Sequence, residues 1–363
     1  MSWTIDTADL HRLSRGAAVY GTGGGGDPYV GALLAAGAIA EHGPVTVVTQ
    51  DELPDDAVVI TVAMMGAPTV MVEKLPNLDE VVGSVRALEA VLGRAVTHVT
   101  CAEVGGVNST IPVAAAAALG LPLLDADGMG RAFPELQMVL PTLYGITASP
   151  LAFADDKGNT GVLTTVDNTW TERIARVACV EMGCSVMIAG FAMTGVQARE
   201  SLVQGSLRAC VELGAAVDAA RAEHVDPVTR VAEVLGGREV FAGKVVDVER
   251  ATTTGFARGR ARIDGAAGTL TLEFQNEHLL ARAGDDVVVT TPDLIMVLEH
   301  DSGEAITTEG LRYGQRVRVV AAPADPRWHS AEALAMVGPG YFGYDVPARR
   351  YDGRVSDGAG VAA

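Results

Sequence analysis

The rhythm of apolar positions along the chain changes near residue 231. Before it, β-branched runs at residues 44–49, 57–64, 98–103 and 122–125 read as strands bounded by turn residues, while Ala- and Leu-rich stretches at 29–42, 79–93 and 110–119 read as helices. A short helix at 5–11, capped by Asp6 or Thr7, and a strand-like run at 17–20 (Ala-Ala-Val-Tyr) lead into a glycine-rich loop, giving strand, turn and helix in order. Residues 151–166 read as strand and turn, and 171–181 and 197–222 as helices. In the last of these, Leu202, Leu207, Val211 and Val217 fall at roughly helical spacing. Such alternation predicts an α/β domain over residues 1–231, a mainly parallel sheet covered by helices.

From Glu239 the pattern is one of short strands at 240–248, 259–263, 269–274, 286–290, 294–298 and 316–321, separated by glycine or acidic turns. This predicts a smaller β-rich domain, a sandwich or barrel, over residues 232–348, with one turn of helix at 330–336. Residues 349–363 are expected to form a loose tail. The chain has no internal repeat and no low-complexity tract.

Composition narrows the function classes. With 363 residues, 48% hydrophobic and 20% charged, the chain can bury two cores and is not a disordered protein. Its 27 basic residues face 45 acidic ones, a net charge of -18 that argues against a nucleic-acid partner and for solubility. Residues 1–6 lack the basic and apolar regions of a signal peptide. The longest apolar run, 107–124, holds Asn108, Ser109, two prolines and a glycine and is a poor membrane span. A cytoplasmic protein is the expectation. Cys101, Cys179, Cys184 and Cys210 form no CxxC, so buried reduced thiols are expected, with Cys101 the one to watch.

Three polar clusters carry candidate chemistry. The first is GTGGGGDP at 21–28. Its glycines permit positive φ and close approach of a ligand, and Asp27 with Pro28 would cap the following helix. It is neither a spaced GxGxxG nor a P-loop, because no Lys-Ser/Thr follows, so nucleotide binding has little support. Two glycines would make the turn, and four in succession therefore suggest a binding role for Gly23, Gly24, Gly25, Gly26 and Asp27 toward an anionic or carbonyl-bearing ligand. The second cluster, EVGGVNS at 103–109, follows a strand, and ligands of open α/β sheets bind beyond the carboxyl ends of strands, where Glu103 and Asn108 would stand.

The third cluster, DADGMGRAFPELQ at 125–137, offers Asp125, Asp127, Arg131 and Glu135. Neighbouring acids of this kind split their pKa values and can share acid and base work or bind a cation, unless they merely cap turns and pair with Arg131. In the C-terminal part, Asn276 and Glu277 stand in FQNEH beside a strand. His278, His300 and His329, 22 and 29 residues apart in turn, match no zinc pattern, so metal binding stays open. There is no GxSxG elbow and no HExxH.

Together GTGGGGDP, EVGGVNS, DADGMGRAFPELQM, FQNE, PDLI (292–295), LRYG (311–314) and VGPGYFGYD (337–345) resemble the S-methyl thiohydantoin desulfurase-like family, whose genes often neighbour hydantoinase/oxoprolinase enzymes. Seven motifs in order span nearly the whole chain. The resemblance implies an N-terminal α/β domain, a smaller C-terminal β-rich domain, and action on a five-membered cyclic amide or its sulfur analogue. Its namesake reaction hydrolyses an S-methylated thiohydantoin to a hydantoin and methanethiol.

For that reaction Asp127 or Asp125 is the expected base and Glu135 or Glu103 the acid. Gly23 to Gly26, Asn108, Asn276 and Glu277 would bind the ring, and Arg131 would neutralise a substrate carboxylate. A bound Zn²⁺ lowering the pKa of its water is a variant, with Asp, His or Cys101 as ligands. The rival reading is a non-catalytic binding subunit that docks on a hydantoinase/oxoprolinase-type partner. A homo-oligomer is expected on the general frequency of symmetric assemblies.

Overall fold

A computed structural model describes residues 1–66, 70, 74–253, 256–351 and 353. Its first sheet contains β1 (Trp3–Ile5), β2 (Val45–Val48), β3 (Val59–Gly66), β4 (His98–Cys101), β5 (Leu123–Asp127), β6 (Leu151–Ala154), β7 (Thr160–Leu163), β8 (Ser185–Met193) and β9 (Val203–Gln204). They run in the order β1-β2-β5-β4-β3-β8-β6-β7, with β9 beside β5. The four strands β2, β5, β4 and β3 are mutually parallel, and the flanking pairings are antiparallel. Helices α1 (Thr7–Tyr20), α2 (Pro28–His42), α3 (Leu78–Leu92) and α4 (Ile111–Leu119) cover this sheet. The central strand β3 is buried at all but its last residue, which is why it carries an apolar run rather than alternation. Each fully buried Val, Leu or Ile there contributes about 1.5–3 kcal/mol.

The second domain is an antiparallel sheet curled into a half-barrel. Its strands are β10 (Arg238–Thr253), β11 (Phe256–Gly265), β12 (Gly268–Gln275), β13 (Glu277–Ala283), β14 (Asp286–Thr290), β15 (Leu294–Glu299) and β16 (Arg316–Ala322), in the order β14-β13-β12-β11-β10-β16-β15. Val245, Ile263, Leu272, Phe274 and Val319 fill its interior. Its other face, through Leu294, Met296, Leu298 and Val320, packs on Val19 of α1, on Leu213 and Val217 of the long helix α8 (Ser206–Ala222), and on Val231 of α9 (Pro227–Val234). The α/β architecture with a smaller β-rich domain is thus the one the chain adopts.

Three local expectations need correction. Residues 17–20 are not a strand: they are the last turn of α1, which begins at an Asp6 cap whose carboxylate accepts from Ala8 and Asp9 N–H. Tertiary packing overrides the short apolar run here, because α1 lies against α8 at glycine contacts. A Cβ on Gly16 would sit 1.9 Å from the Cys210 carbonyl oxygen, and one on Gly214 2.1 Å from that of Arg12. The glycine loop therefore joins helix to helix.

Residues 197–222 are not one helix but α7 (Gly195–Ser201), the strand β9 and α8 (Ser206–Ala222). Gly205 takes φ +75° and the Asp125 carboxylate accepts from Leu207 and Arg208 N–H, so α8 restarts on β5. Strands β8 and β13 were not distinguished by the apolar pattern. The first residues of the expected tail are tied down, Arg349 N–H donating to Thr290 Oγ1 and Tyr351 N–H to Asp293. Residues 352 and 354–363 lie outside the described residues.

Candidate active site

The carboxyl ends of β3, β4 and β5 open onto a pocket between the two domains. From the sheet come Met64, Met65, Ala102, Glu103 and Met129; the glycine loop adds Gly25 and Gly26, and the turn between β12 and β13 adds Asn276 and Glu277. The volume is about 90 Å³, room for about six water-sized occupants at ~15 Å³ each, the size class of a five-membered ring with its exocyclic atoms. Phe133, Leu136, Ile188 and Phe191 make the rest of the wall apolar. Phe191 holds φ +48°, a conformation uncommon outside glycine and concentrated at functional sites.

Glu103 is buried on this wall, with one oxygen accepting from the Asn108 amide at 2.6 Å and the other from Phe133 N–H at 3.3 Å. Asn108 itself is fixed by the backbone of Met64. Burial raises the Glu103 carboxyl to about 7, although these two donors and Arg131 oppose the rise. Glu277 is buried too, and its Oε2 has no hydrogen-bond partner. Burial and the nearby Glu103 push its pKa well above the ordinary carboxylate value against the pull of Arg131. Two carboxyls that share a small apolar pocket and repel each other ionise in separate steps, leaving one charged and one protonated near neutral pH.

Arg131 lies behind this pair, completely buried. Its Nε donates to Ala132 O, its Nη1 to Pro292 and Asp293 O, and its Nη2 to Thr22 Oγ1 and His278 O. The guanidinium is thus committed to protein acceptors and stacks on the Phe133 ring at 4.3 Å. Burial lowers its pKa to about 10 while Glu277, Asp293 and Glu103 hold it up, so it stays charged. Its placement is that of a counter-charge beneath the glutamates rather than of a hand for a substrate carboxylate.

The four glycines have structural work of their own. A Cβ on Gly24 would meet Glu277 Oε1 at 1.9 Å, one on Gly23 would meet His278 at 2.7 Å, and one on Gly25 would meet the Gly105 Cα at 2.4 Å. Gly23, Gly25 and Gly26 all have positive φ. Close packing against EVGGVNS and FQNEH therefore accounts for residues the turn alone did not require. Gly25 and Gly26 also face the pocket; Gly23 and Gly24 pack behind it, and Asp27 caps α2 by accepting from Tyr29 N–H at 2.8 Å.

The remaining candidates separate. Glu135 lines the pocket, its Oε2 accepting from the Tyr341 hydroxyl at 2.7 Å and from the Gln137 amide. Asp125 and Asp127 do not line it. On β5 they stand on the face toward α8, where Asp125 caps that helix and Asp127 Oδ2 accepts from Met129 and Gly130 N–H at 2.8 and 2.7 Å. Burial nevertheless raises Asp127 to about 6.

His278 is buried beside Gly23 with neither ring nitrogen bonded, and burial lowers it to about 3, so the ring is neutral. His300 pairs with Asp301, and His329 Nε2 lies 3.0 Å from Asp293. Among the described residues no group of three or more His, Cys, Asp or Glu side chains could hold a metal ion. Sequence reasoning missed Arg176, which lines the pocket and binds Glu172 at 2.7 Å, and Tyr341. Tyr341 sits in the motif VGPGYFGYD and had a signal; Arg176, outside every polar cluster of the sequence, had none.

These features define a two-domain protein, a mixed α/β sheet and a β half-barrel, that closes a small pocket around coupled buried carboxyls. Models of the S-Me-THD-like N-terminal domain and the S-Me-THD-like C-terminal domain match residues 8–165 and 166–351, and the chain belongs to the S-Me-THD-like family. A protein from Chromobacterium violaceum known from an X-ray crystal structure is 24% identical, with 96% of this chain and 100% of that chain covered and a TM-score of 0.82; that likeness speaks for the fold alone. No curated protein matches. No helix among the described residues is long and apolar enough to cross a membrane.

Proposed function

We propose that the chain is a hydrolase of a small five-membered cyclic amide, with desulfuration of an S-methyl thiohydantoin as its reaction. The observation that carries this reading is the coupling of Glu103 and Glu277 on one wall of a pocket of ring size. A carboxylate near 7 beside a carboxyl that stays protonated is the pair that addition of water to a C=N bond requires. Family membership supports the same chemistry.

Glu103, ionised, takes a proton from water as its oxygen adds to the carbon bearing sulfur, and protonated Glu277 gives its proton to the ring nitrogen. The tetrahedral intermediate then returns its hydroxyl proton to Glu277 as the carbonyl forms and the C–S bond breaks. Glu103 protonates the departing thiolate. Water has supplied the carbonyl oxygen, the ring N–H and the thiol proton, and both glutamates recover their starting states. Arg131 balances the single negative charge that the pair carries throughout.

Purified protein should release methanethiol from S-methyl thiohydantoin, detected with a thiol reagent, and Glu103→Gln should not. A ureido-acid product would mean that the ring itself opens. Binding without release, with activity only on adding a hydantoinase-type protein, would favour an accessory subunit.

A further inference from the structure

Helix α6 (Asn168–Glu181) is built inside out. The face it turns to its own domain carries Asn168, Thr171 and Glu172 with only Ala175 and Cys179 as apolar partners. Those polar groups are fully used: the Asn168 side chain bonds Ala148 N–H and the Ile146 carbonyl, and Glu172 accepts from Leu136 N–H and Arg176. The face it turns to solvent is apolar. Trp170 is 48% exposed, Ile174 41%, Val177 71% and Val180 49%, with Val166, 83% exposed, just ahead of the Asp167 cap. Within the helix, steps of four, three and three residues from Trp170 make this one continuous stripe.

We propose that this stripe is the seam of a two-fold dimer of the chain, α6 packing antiparallel on α6 of a second copy with Val177 at the axis. Charge chooses the occupant. The protein carries -18, which drives copies apart, yet α6 holds Glu172, Arg173, Arg176 and Glu181 and is neutral. Arg173 and Glu181 flank the stripe, both exposed, and neither makes an ion pair within the described chain; Arg173 lies 5.6 Å from the Trp170 ring.

Glu181 also stands at the C-terminal end of its own helix, where the dipole disfavours an anion. About an axis at Val177, Arg173 of one copy meets Glu181 of the other and Ile174 meets Val180. Arg173 of one copy then lies beside the C-terminal end of the other helix, which favours a cation. Such a two-fold contact uses one self-complementary patch.

About this axis residues 173–181 of the two helices overlap, a seam about 12 Å long and on the order of 10 Å wide, well below the ~800 Å² per partner of standard stable interfaces. The dimer is therefore expected to be of micromolar strength. Sedimentation velocity over about 1 to 200 µM protein should show a monomer passing into a dimer. Val177→Glu, at a position open enough to leave the fold intact by circular dichroism, should leave only monomer.

Arg173→Glu should weaken association several-fold, and the double variant Arg173→Glu with Glu181→Arg should restore it, because the swapped charges again meet their opposites. A wild-type chain that stays monomeric throughout, or a dimer that survives Val177→Glu, overturns the proposal. A double variant as weak as the single overturns the register.

Discussion

Asp125 and Asp127 stand on β5, while Glu103 and Glu277 face the pocket next to it; all four are buried. The aspartates give oxygens to backbone N–H groups: those of Leu207 and Arg208 for one, Met129 and Gly130 for the other. Glu103 accepts from the Asn108 amide and Phe133 N–H, whereas Glu277 Oε2 receives no donor, as Asp127 Oδ1 receives none, and Glu103 pushes the Glu277 carboxyl up. A carboxylate committed to N–H groups holds loops and helix ends in place; one left short of donors beside a like charge keeps a proton it can hand over. The residue types are nearly the same in both regions, and what separates them is that the glutamates line the pocket while the aspartates face α8.

The largest test of this contrast is turnover. Glu103→Gln and Glu277→Gln should each reduce methanethiol release from S-methyl thiohydantoin by about 10²- to 10⁴-fold, with thermal melting at pH 7 unchanged in Glu277→Gln, which replaces a neutral carboxyl, and unchanged or raised in Glu103→Gln, which removes a desolvated charge. The wild-type pH profile of kcat/KM should be bell-shaped, its acid limb near 7 as Glu103 ionises and its alkaline limb set by loss of the Glu277 proton. A profile that keeps both limbs in Glu103→Gln would assign the base elsewhere.

Next in size is Gly25→Ala. The new Cβ would lie 2.4 Å from the Gly105 Cα, backbone that cannot step aside, on a residue at φ +76°. A loss of about 2–4 kcal/mol is expected, read as a lower midpoint in urea with an unchanged slope. Gly37→Ala, in α2 with nothing within 4 Å of its Cβ, is the matched control and should be neutral or stabilising. Equal losses in the two would remove the packing account of the glycine loop.

Much of this was legible before any coordinates. Strand ends gave Glu103 and Asn108, because βα turns place such residues at the carboxyl edge of a parallel sheet, and FQNEH gave Asn276 and Glu277 through its polar residues beside a strand. The roles were less legible. Asp127 is held by the local turn at Met129 and Gly130, the turn-capping alternative the sequence also offered. Asp125 looked catalytic because its N–H donors come from α8, 82 and 83 residues downstream, and no local pattern reports such a partner. Arg131 looked free for the same reason, its acceptors lying at Thr22, His278, Pro292 and Asp293. Residues 17–20 misled because four apolar residues suit a strand or a last helical turn equally, and only packing against α8 decides.

Asp125→Ala should separate the two regions from the other side. Its carboxylate caps α8 and lies 3.7 Å from Arg208, so its loss should cost about 1–2 kcal/mol while kcat with S-methyl thiohydantoin stays within about twofold of wild type. Turnover abolished in a variant that melts like wild type would return Asp125 to the catalytic machinery.

The finest distinction is in how stability changes with pH. Glu103 has a folded pKa of about 7 against an ordinary 4.5, so between those values the folded state holds a proton that the unfolded state releases. Stability contributed this way is full below about 4.5, falls as pH rises through the window, and is lost above 7. Asp127 acts in the same direction from 3.8 to about 6. Groups with depressed pKa values, such as Asp226 beside Arg318, act oppositely and shape the total curve. The difference between variant and wild type removes them: the melting temperature of Glu103→Gln minus that of wild type should climb from pH 4.5 to 7 and then level off. For Asp127→Asn the climb should end near pH 6. Parallel melting curves for Glu103→Gln and wild type would mean that this carboxyl titrates at its ordinary value and that burial does not hold its proton.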